Sequence, residues 1–326
     1  MTLESNLATE ESRTGRKARA FVVLNPRSGS CTAPAVRRAI RDHLGDLEVE
    51  VHEISEGDDI QHIVLSAIER GCDPIVAAGG DGTVSSIANV MVGKQAHLVI
   101  LPLGTANVLA RELGIPVELE GACRLGAHRV KLGSLTGPEH EVFRLDAMKV
   151  GNRHYFTQIG VGIDALMIRD TATEQKKRFG RLAYLWTAAT RLVGFQPRKF
   201  SIVIDGEEII AKASEVVIAN TGMMGQPPFR WGPDIRADDG RLNVCIVRAR
   251  TFLDYAGIFW LVVQGRHRES PNVRYRTASK SVEITTKHPL PVQADGEIVG
   301  DTPIRVEVVP NAVEVVIPSG TQPGTI

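Results

Sequence analysis

The 326-residue sequence has no net charge, few cysteines and no long hydrophobic run. Lysine and arginine number 38, as do aspartate and glutamate, so no overall field draws the protein to nucleic acid. Any attraction to an anionic surface has to come from local basic patches. The cysteines at positions 31, 72, 123 and 245 are scattered and form no CxxC pair. A zinc site or a disulfide framework is therefore not expected, and a reducing cytosol fits best.

No segment has the composition of a secretion signal or the length of a membrane span. The first 20 residues are polar and charged, and we predict that residues 1–19 form a disordered tail. The most apolar stretch, Phe252–Val263, falls short of the roughly 20 residues that cross a bilayer. Because this stretch is apolar on nearly all faces, it is predicted to be a buried core helix. The protein is expected to be cytoplasmic and at most peripheral to a membrane.

The first half of the chain alternates short apolar runs with helical patterns. This alternation is typical of βαβ units around a mostly parallel sheet, whose ligands bind beyond the carboxyl ends of the strands. We therefore predict an α/β domain over residues 20–128. The predicted strands are Ala20–Leu24, Leu47–Ile54, Pro74–Ala78 and Leu98–Pro102, and the predicted helices are Val36–Leu44, Ile60–Arg70, Val84–Val92 and Asn107–Leu113.

The second half is rich in valine and isoleucine, with turn residues between the apolar runs. It predicts a β-rich domain over residues 129–320, and the length of the chain also favours two domains over one core. The last strands of this domain can pack back on the first domain. The predicted strands are Phe200–Ile204, Glu215–Ala219, Leu242–Arg248, Val282–Thr285 and Ile304–Val309, with helical insertions at Arg181–Val193 and Phe252–Gln264.

Three glycine-containing loops follow predicted strands of the first half. They are 25–30 (NPRSGS), 79–83 (GGDGT) and 102–107 (PLGTAN). Each loop alone is an ordinary strand-to-helix turn, but three at successive strand ends favour a nucleotide site. Glycines let the backbone approach a phosphate, and the free N–H groups of a helix N-terminus bind it. The loops match neither a Walker P-loop nor the G-x-G-x-x-G fingerprint. Asp81 is unusual beside an anion unless a cation such as Mg²⁺ accompanies the phosphate.

These loops, together with three later motifs, resemble the diacylglycerol kinase, sphingosine kinase and ceramide kinase superfamily, with the bacterial soluble lipid kinases as the most similar type. The later motifs are 160–165 (GVGIDA), Asp239-Gly240 and Asp295-Gly296-Glu297. The loop at 79–83 is shared with NAD kinases and phosphofructokinases, so alone it does not decide the substrate. The resemblance implies an NAD kinase-like α/β domain, a β-sandwich-like second domain, and ATP-dependent phosphorylation of a diacylglycerol-like or sphingoid-like hydroxyl.

The resemblance also implies the binding residues for ATP and Mg²⁺. Asp81 would hold Mg²⁺ or orient phosphates, and an accessory Mg²⁺ would bind Asp239 with the carbonyls of Arg236 and Arg241. A plain turn is the alternative for Asp239-Gly240. The residues expected to contact ATP are Asn25, Ser55, Gly79, Gly80, Asp81, Gly82, Thr83 and Thr105.

Glu297 is the predicted general base, which would take the proton of the acceptor hydroxyl. Asp295 would support it by positioning the loop or by sharing its proton. A second triplet, Asp205-Gly206-Glu207, lies between predicted strands and fits a solvated hairpin turn.

Two positions depart from the pattern of the family. Val108 stands where many bacterial members have an aspartate. Lys131 is aligned with an acid that members carry on the first strand of the second domain, near the acceptor. The identity of the acceptor lipid is therefore left open.

A basic, aromatic segment is a candidate membrane contact. A basic-flanked amphipathic helix with tryptophan and tyrosine suits the surface of an anionic membrane, while an ordinary helix with solvated charges is the alternative. A homodimer is left open, and nucleic acid is not an expected partner. The basic residues are Lys176, Lys177, Arg178, Arg181, Arg191, Arg198 and Lys199, around Leu182, Tyr184, Leu185, Trp186, Leu192 and Phe195.

Two other functions are weighed against the lipid kinase. The first is an NAD kinase-like phosphotransferase with a soluble acceptor, which the late Asp-Gly-Glu triplet and the basic segment disfavour. The second is a catalytically silent nucleotide or lipid sensor. A sensor without catalytic activity is disfavoured by the joint presence of Asp81, Thr83, Asp295 and Glu297.

Overall fold

The computed structural model describes residues 19–29, 32–44, 48–132, 140–171, 197–225, 229–232, 234–321 and 323–324. The predicted tail, apart from Arg19, lies outside these ranges. So do the predicted helix Arg181–Val193 and the basic, aromatic segment up to Phe195. Within the described ranges, no helix is both long and apolar enough to cross a bilayer.

The first domain is the parallel α/β structure that the alternating pattern predicts. Its four strands are all parallel and lie in the order β2-β1-β3-β4. Strands β3 and β4 are buried along their whole length, as expected where helices cover both faces of a sheet. The strands are β1 (Arg19–Leu24), β2 (Glu48–Glu53), β3 (Ile75–Gly79) and β4 (His97–Pro102), and the helices are α1 (Ala33–Leu44), α2 (Ile60–Glu69), α3 (Asp81–Met91), α4 (Val108–Glu112) and α5 (Leu119–Leu132).

Helix α5 was not predicted, and it changes how the junction between the domains is interpreted. It packs against α1 and β4 of the first domain. The predicted boundary after residue 128 falls inside this helix. Lys131 is therefore on a helix of the first domain, and the alignment that placed it on the first strand of the second domain is wrong.

The second domain is β-rich, as predicted. Its helices are α6 (Ile163–Thr171) and α7 (Phe252–Val263), and a short 3₁₀ helix spans His267–Glu269. Its strands are β5 (His140–Val150), β6 (Arg153–Tyr155), β7 (Gln158–Gly162), β8 (Arg198–Ile204), β9 (Glu207–Ala213), β10 (Glu215–Ala219), β11 (Leu242–Val247), β12 (Val273–Ala278), β13 (Ser281–Thr286), β14 (Pro291–Ala294), β15 (Glu297–Asp301) and β16 (Ile304–Pro318).

Two sheets enclose the core of the second domain. One is a six-stranded sheet in the order β12-β11-β10-β7-β14-β15. The other continues the sheet of the first domain, in the order β2-β1-β3-β4-β16-β13-β8-β9, with β5 and β6 paired alongside β16. Apolar side chains of β8 and β13 pack between the sheets against those of β7, β10, β11 and β14.

The long strand β16 joins the two domains. Its later part pairs in parallel with β4, where Glu314 lies opposite His97 and Val315 opposite Leu98. It also pairs with β5 and β13 in the antiparallel sense. The chain therefore returns to the first domain at its last described strand, which fixes the cleft between the domains.

Helix α7 has the predicted limits but not the predicted burial. None of its residues is buried, and Leu253 and Trp260 are 79% and 61% exposed. Only the side that carries Tyr255, Ile258 and Leu261 is partly covered by protein. The expectation that this stretch is a buried core helix is therefore wrong. Hydrophobicity on all faces indicates that a helix avoids water, but it does not identify what covers the helix.

Candidate functional site

The three glycine loops meet at one edge of the sheet, as predicted. Strands β1, β3 and β4 are parallel, so their carboxyl ends lie side by side. The Gly80 amide donates to Ser28 Oγ at 3.2 Å, and a Cβ added at Gly104 would lie 2.7 Å from the Gly80 Cα. A Cβ at Gly29, whose φ is +72°, would overlap the Leu103 carbonyl. Only glycine allows this approach of one backbone to another, so the loops form a single surface.

Asn25 and Thr83 connect the first loop to the second. The Asn25 side-chain amide donates to Thr83 Oγ1 at 2.9 Å, and Thr83 is buried. Gly79 leaves room for that threonine, because a Cβ at this position would lie 2.5 Å from the Thr83 Cβ. Helix α3 begins directly after Gly80, which supplies no side-chain cap. The first-turn amides of α3 are thus at the loop surface, where an anion would be favoured.

Asp81 belongs to helix α3 rather than to the loop before it. It is the partly buried first residue of α3. Its Oδ2 accepts from the Asn107 amide at 2.9 Å and its Oδ1 from the Val108 amide at 2.6 Å. Asp81 therefore ties the third loop to α3. These hydrogen bonds explain why an acid lies beside an anion site, and no cation is needed for that explanation.

Asn107 completes the third loop. It has the left-handed φ of +50°, and its side chain bonds both backbone groups of Gly104, accepting from the amide at 2.9 Å and donating to the carbonyl at 2.8 Å. This closed ring presents Thr105 as an exposed residue. Ser55, also exposed, lies beyond β2 at the same edge, where its amide donates to Asp58 at 2.8 Å.

A cleft of about 250 Å³ separates the three loops from the second domain. The side of the first domain includes Asp81, Ser85 and Val108. The side of the second domain includes Phe156, Gln158, Met223 and Asp295. Asp295 and Asp81, both predicted site residues, thus line one cavity, although they are more than 200 positions apart in the sequence.

Asp295 is bound by five donors. Its Oδ1 accepts from the amides of Thr157 and Gln158 at 2.9 and 3.2 Å and from the Thr157 hydroxyl at 2.6 Å. Its Oδ2 accepts from the Phe156 amide and from Ser85 Oγ, both at 2.9 Å. Ser85 belongs to α3, so Asp295 fastens the turn between β14 and β15 to the helix that follows the phosphate loop.

Glu297 is the exposed first residue of β15. Its Oε1 lies 3.9 Å from the position of a Cβ built on Gly82. The carboxylate therefore lies close to the start of α3, beside the second loop. Its role as a general base stays a prediction.

The triplet at 205–207 has the same local structure in a different place. Asp205 and Gly206 have φ values of +51° and +96°, and Asp295 and Gly296 have +47° and +87°. Asp205 accepts the amides of three residues, 279–281, at 2.8 to 2.9 Å. Glu207, however, lies on β9, the outermost strand of the large sheet. Local sequence does not separate the two triplets, but their positions in the fold do.

A pair of acids, of which Glu215 is buried, supports the turn that carries Glu297, and it was not predicted. Gln293 Nε2 donates to Asp164 at 2.8 Å, while its Oε1 accepts from the Gly296 amide at 3.0 Å. Glu215 accepts from the Asp164 amide at 3.0 Å. Burial, and next the charge of Asp164, hold the pKa of Glu215 well above its ordinary value. A glutamine in the apolar strand before the triplet was the available signal.

Replacing Glu215 with glutamine is expected to weaken the dependence of stability on pH. Between the ordinary pKa of 4.5 and the raised pKa, folded Glu215 keeps a proton that the unfolded chain has lost. The free energy of unfolding of the unmodified protein therefore falls as pH rises through this window. Glutamine does not titrate, so urea unfolding at about pH 5 and about pH 8 should differ less in the variant. An unchanged pH slope would contradict this, and Glu207→Gln, at an exposed position, serves as the control.

The predicted accessory metal residues lie in a loop beside the first strand of the second domain. Asp239 accepts from the Arg241 amide at 3.0 Å, and the Arg236 side chain bonds Asp238 at 2.8 and 2.9 Å. Asp146 on β5 is 1% exposed and accepts from the Gly240 amide at 2.7 Å. The first strand of the second domain thus does carry an acid, which corrects the inference drawn from Lys131.

Two acids, Asp146 and Asp239, lie at this loop and have raised pKa values. Desolvation, which is the largest cause, and the charge of Asp239 raise the pKa of Asp146. Desolvation also raises the pKa of Asp239. In the part of the chain that the structure describes, no three acid, histidine or cysteine side chains group as metal ligands. A Mg²⁺ ion here would need the carbonyl oxygens of Arg236 and Arg241, which are ligands that it accepts.

Glu112 connects the domains below the cleft, and it too was missed. It is 1% exposed and accepts from the amides of Gly222 and Met223 at 3.0 and 3.1 Å. The Arg230 guanidinium donates to it at 3.1 Å. These bonds hold Met223 in the wall of the cleft.

Comparisons with known proteins agree with this architecture. The family model of the diacylglycerol kinase catalytic domain matches residues 19–134. The model of the YegS C-terminal NAD kinase beta sandwich-like domain matches residues 157–317. A crystal structure of a diacylglycerol kinase from Bacillus anthracis superposes with a TM-score of 0.75 at 21% identity, over 96% of this chain and 100% of that chain, and shows the shared fold.

Curated relatives align with most of the chain. A diacylglycerol kinase of Mycobacterium tuberculosis is 29% identical over 300 residues, which are 90% of this chain and 93% of that protein. A probable lipid kinase, YegS-like, of Stenotrophomonas maltophilia is 27% identical over 86% of this chain and 92% of its own length. With both domain models matched in succession, the chain belongs to the diacylglycerol kinase and YegS-like lipid kinase family.

Proposed function

We propose that the protein transfers the γ-phosphoryl group of ATP to a hydroxyl group of a lipid. The observation that carries this proposal is the position of Glu297. Its Oε1 atom lies 3.9 Å from the position of a Cβ on Gly82, in the glycine-rich loop at the start of α3. A base held against the phosphate site is what phosphoryl transfer to a hydroxyl requires.

The chain's own residues divide the work between the two domains. The uncapped amides at the start of α3 and the glycine backbone would bind phosphate oxygens, while Asp81 holds the third loop in place. Glu297 would take the hydroxyl proton as the acceptor oxygen bonds to the γ-phosphorus and the bond to the ADP oxygen breaks. Mg²⁺ supplied with ATP would neutralise charge on the phosphates.

The supporting roles of Mg²⁺ and of the membrane are also proposals. An accessory Mg²⁺ would stabilise the loop of Asp239, using the carbonyls of Arg236 and Arg241, without touching the reacting atoms. The acceptor is diacylglycerol-like or sphingoid-like, and the relatives named diacylglycerol kinase favour the first. The acceptor would be reached at the cytoplasmic surface of an anionic membrane.

Asp295→Asn should lower turnover by roughly 10²-fold, because a 1 Å shift of a catalytic group costs about that much. The amide group keeps the size of the side chain, but its NH₂ group is a donor. It would therefore face some of the five donors whose hydrogen bonds Asp295 accepts. Steady-state kinetics and urea unfolding measure the two effects. Asp205→Asn is the matched control, since it disturbs the same kind of turn far from the cleft. Equal activity losses in both variants would contradict the positioning role.

The function itself is tested by product analysis. The protein is mixed with γ-labelled ATP, Mg²⁺ and dispersed dioctanoylglycerol, sphingosine or NAD, and the products are separated by chromatography. Label is expected in a phosphorylated lipid. Label in NAD would support the soluble-acceptor enzyme instead, and nucleotide binding without turnover on any acceptor would support a sensor.

A further inference from the structure

Helix α7 presents an apolar face to solvent. Four large side chains of this face, Phe252, Leu253, Phe259 and Trp260, are 55% to 79% exposed. Asp254, the one charged residue of the helix, accepts from the amides of residues 250 and 251 and from Asn272. The exposed side of α7 therefore carries no charge. Large apolar surfaces of this kind mark contact sites for a partner or a membrane.

Phe229 connects helix α7 to a segment that lines the cleft. The Phe229 ring lies 5.6 Å from the Phe259 ring, measured between centroids. The Phe229 carbonyl accepts from the Met224 amide at 2.8 Å. The neighbouring residues Met223 and Gly225 line the cleft. Phe229 is thus joined by one contact to α7 and by one hydrogen bond to the segment that lines the cavity of Asp81 and Asp295.

A basic groove lies where strands β9, β11 and β12 come together. It is lined by Lys212, Arg248, Arg274 and Arg276, and none of the described residues that line it is acidic. Arg248 precedes α7 by four residues, and the bond between Asn272 and Asp254 ties β12 to the helix. Residues 248–276 contain six arginines against two acids, in a chain with no net charge.

We propose that the apolar face of α7, with Phe229, docks into an anionic lipid bilayer while the basic groove binds lipid phosphates. The inference rests on the proposed function, because it places the cleft against the surface from which a lipid acceptor would enter. Exposed tryptophan and phenylalanine beside arginines suit the interface of a bilayer. A second copy fits less well, because a twofold contact would bring like-charged grooves together.

Sedimentation with vesicles tests the apolar face. Wild-type protein should sediment with vesicles of equal phosphatidylglycerol and phosphatidylcholine, and Leu253→Glu or Trp260→Glu should weaken partitioning at least about tenfold. Val51→Glu is the matched control, because Val51 is also exposed but lies on β2 of the first domain. It should bind as the wild type does. Sedimentation requires no turnover, so this result and a failure of the kinase assay are separate outcomes.

A second pair of variants tests the basic groove. Arg274→Gln with Arg276→Gln should weaken binding to the anionic vesicles by about fivefold per arginine and leave binding to pure phosphatidylcholine unchanged. Arg38→Gln with Lys94→Gln removes two exposed charges from the first domain and should change neither.

Four results would overturn the proposal. The first is that the wild-type protein does not sediment with the vesicles. The second is that the Leu253→Glu variant sediments with them as the wild type does. The third is a lower unfolding temperature of Leu253→Glu without vesicles, which would show that the face packs within the protein. The fourth is a lower molar mass of this variant by light scattering, which would show that the face joins two copies.

Discussion

Glu297→Gln is expected to lower the turnover number by roughly 10²–10⁴-fold while ATP binding persists. Glutamine keeps the size and the polarity of the side chain but cannot accept the hydroxyl proton at neutral pH. The glycine loops and the start of α3 are unchanged, so the affinity for nucleotide should stay within a few-fold of wild type. Single-turnover kinetics with saturating ATP, together with equilibrium nucleotide binding, measure the two quantities.

The second Asp-Gly-Glu triplet provides the control for this prediction. Glu207 follows the same type of turn as Glu297, but on the outermost strand β9. Glu207→Gln should therefore leave both turnover and nucleotide affinity unchanged. If Glu207→Gln were inactive and Glu297→Gln active, the wrong carboxylate would have been chosen and the proposed geometry of the cleft would fail.

Asp81→Ala is expected to abolish measurable turnover. The substitution removes both acceptors that hold the amides of Asn107 and Val108, so the third loop loses its tie to α3 and the phosphate surface is disordered. It should also lower the free energy of unfolding by about 1–2 kcal/mol, as loss of a helix cap does. Steady-state kinetics and urea unfolding of the same preparation measure both effects.

A variant that loses a different helix cap separates an effect on catalysis from an effect on stability. Asp59 caps α2 by accepting from the His62 amide at 3.1 Å. Asp59→Ala should cost a similar amount of stability, about 1 kcal/mol, but keep turnover near the wild-type value. Asp81→Ala activity within a few-fold of wild type would show that the second loop does not bind the transferred phosphate.

The strands and loops of the first domain could be predicted because their signals are local. Buried parallel strands are continuous apolar runs, and the glycines that follow them allow one loop backbone to approach another. The helix α5 was missed because its sequence, LEGACRLGAHRVKL, has two glycines and a weak apolar period. That omission displaced the predicted domain boundary and led to the wrong interpretation of Lys131.

The second domain shows where local signals end. The hairpins at Asp205 and Asp295 have nearly the same backbone, yet one lies at the edge of a sheet and the other in the cleft. Only the pairing of β14 with β7, and the five donors to Asp295, separate them. These partners come from residues 156–158, at the start of β7, and from α3, more than 130 positions away, and no local pattern encodes such distances.

The sequence by itself determined the parallel sheet, the three phosphate-type loops, the two candidate triplets and the family. These depend on residue type and short spacing, which act through backbone geometry. Only the tertiary structure decided that Asp81 holds a loop, that Asp146 stands beside Asp239, and that one apolar face of α7 is exposed. Each of these depends on which distant segment lies opposite a side chain, and this is set by the packing of two sheets and by the return of β16 to the first domain.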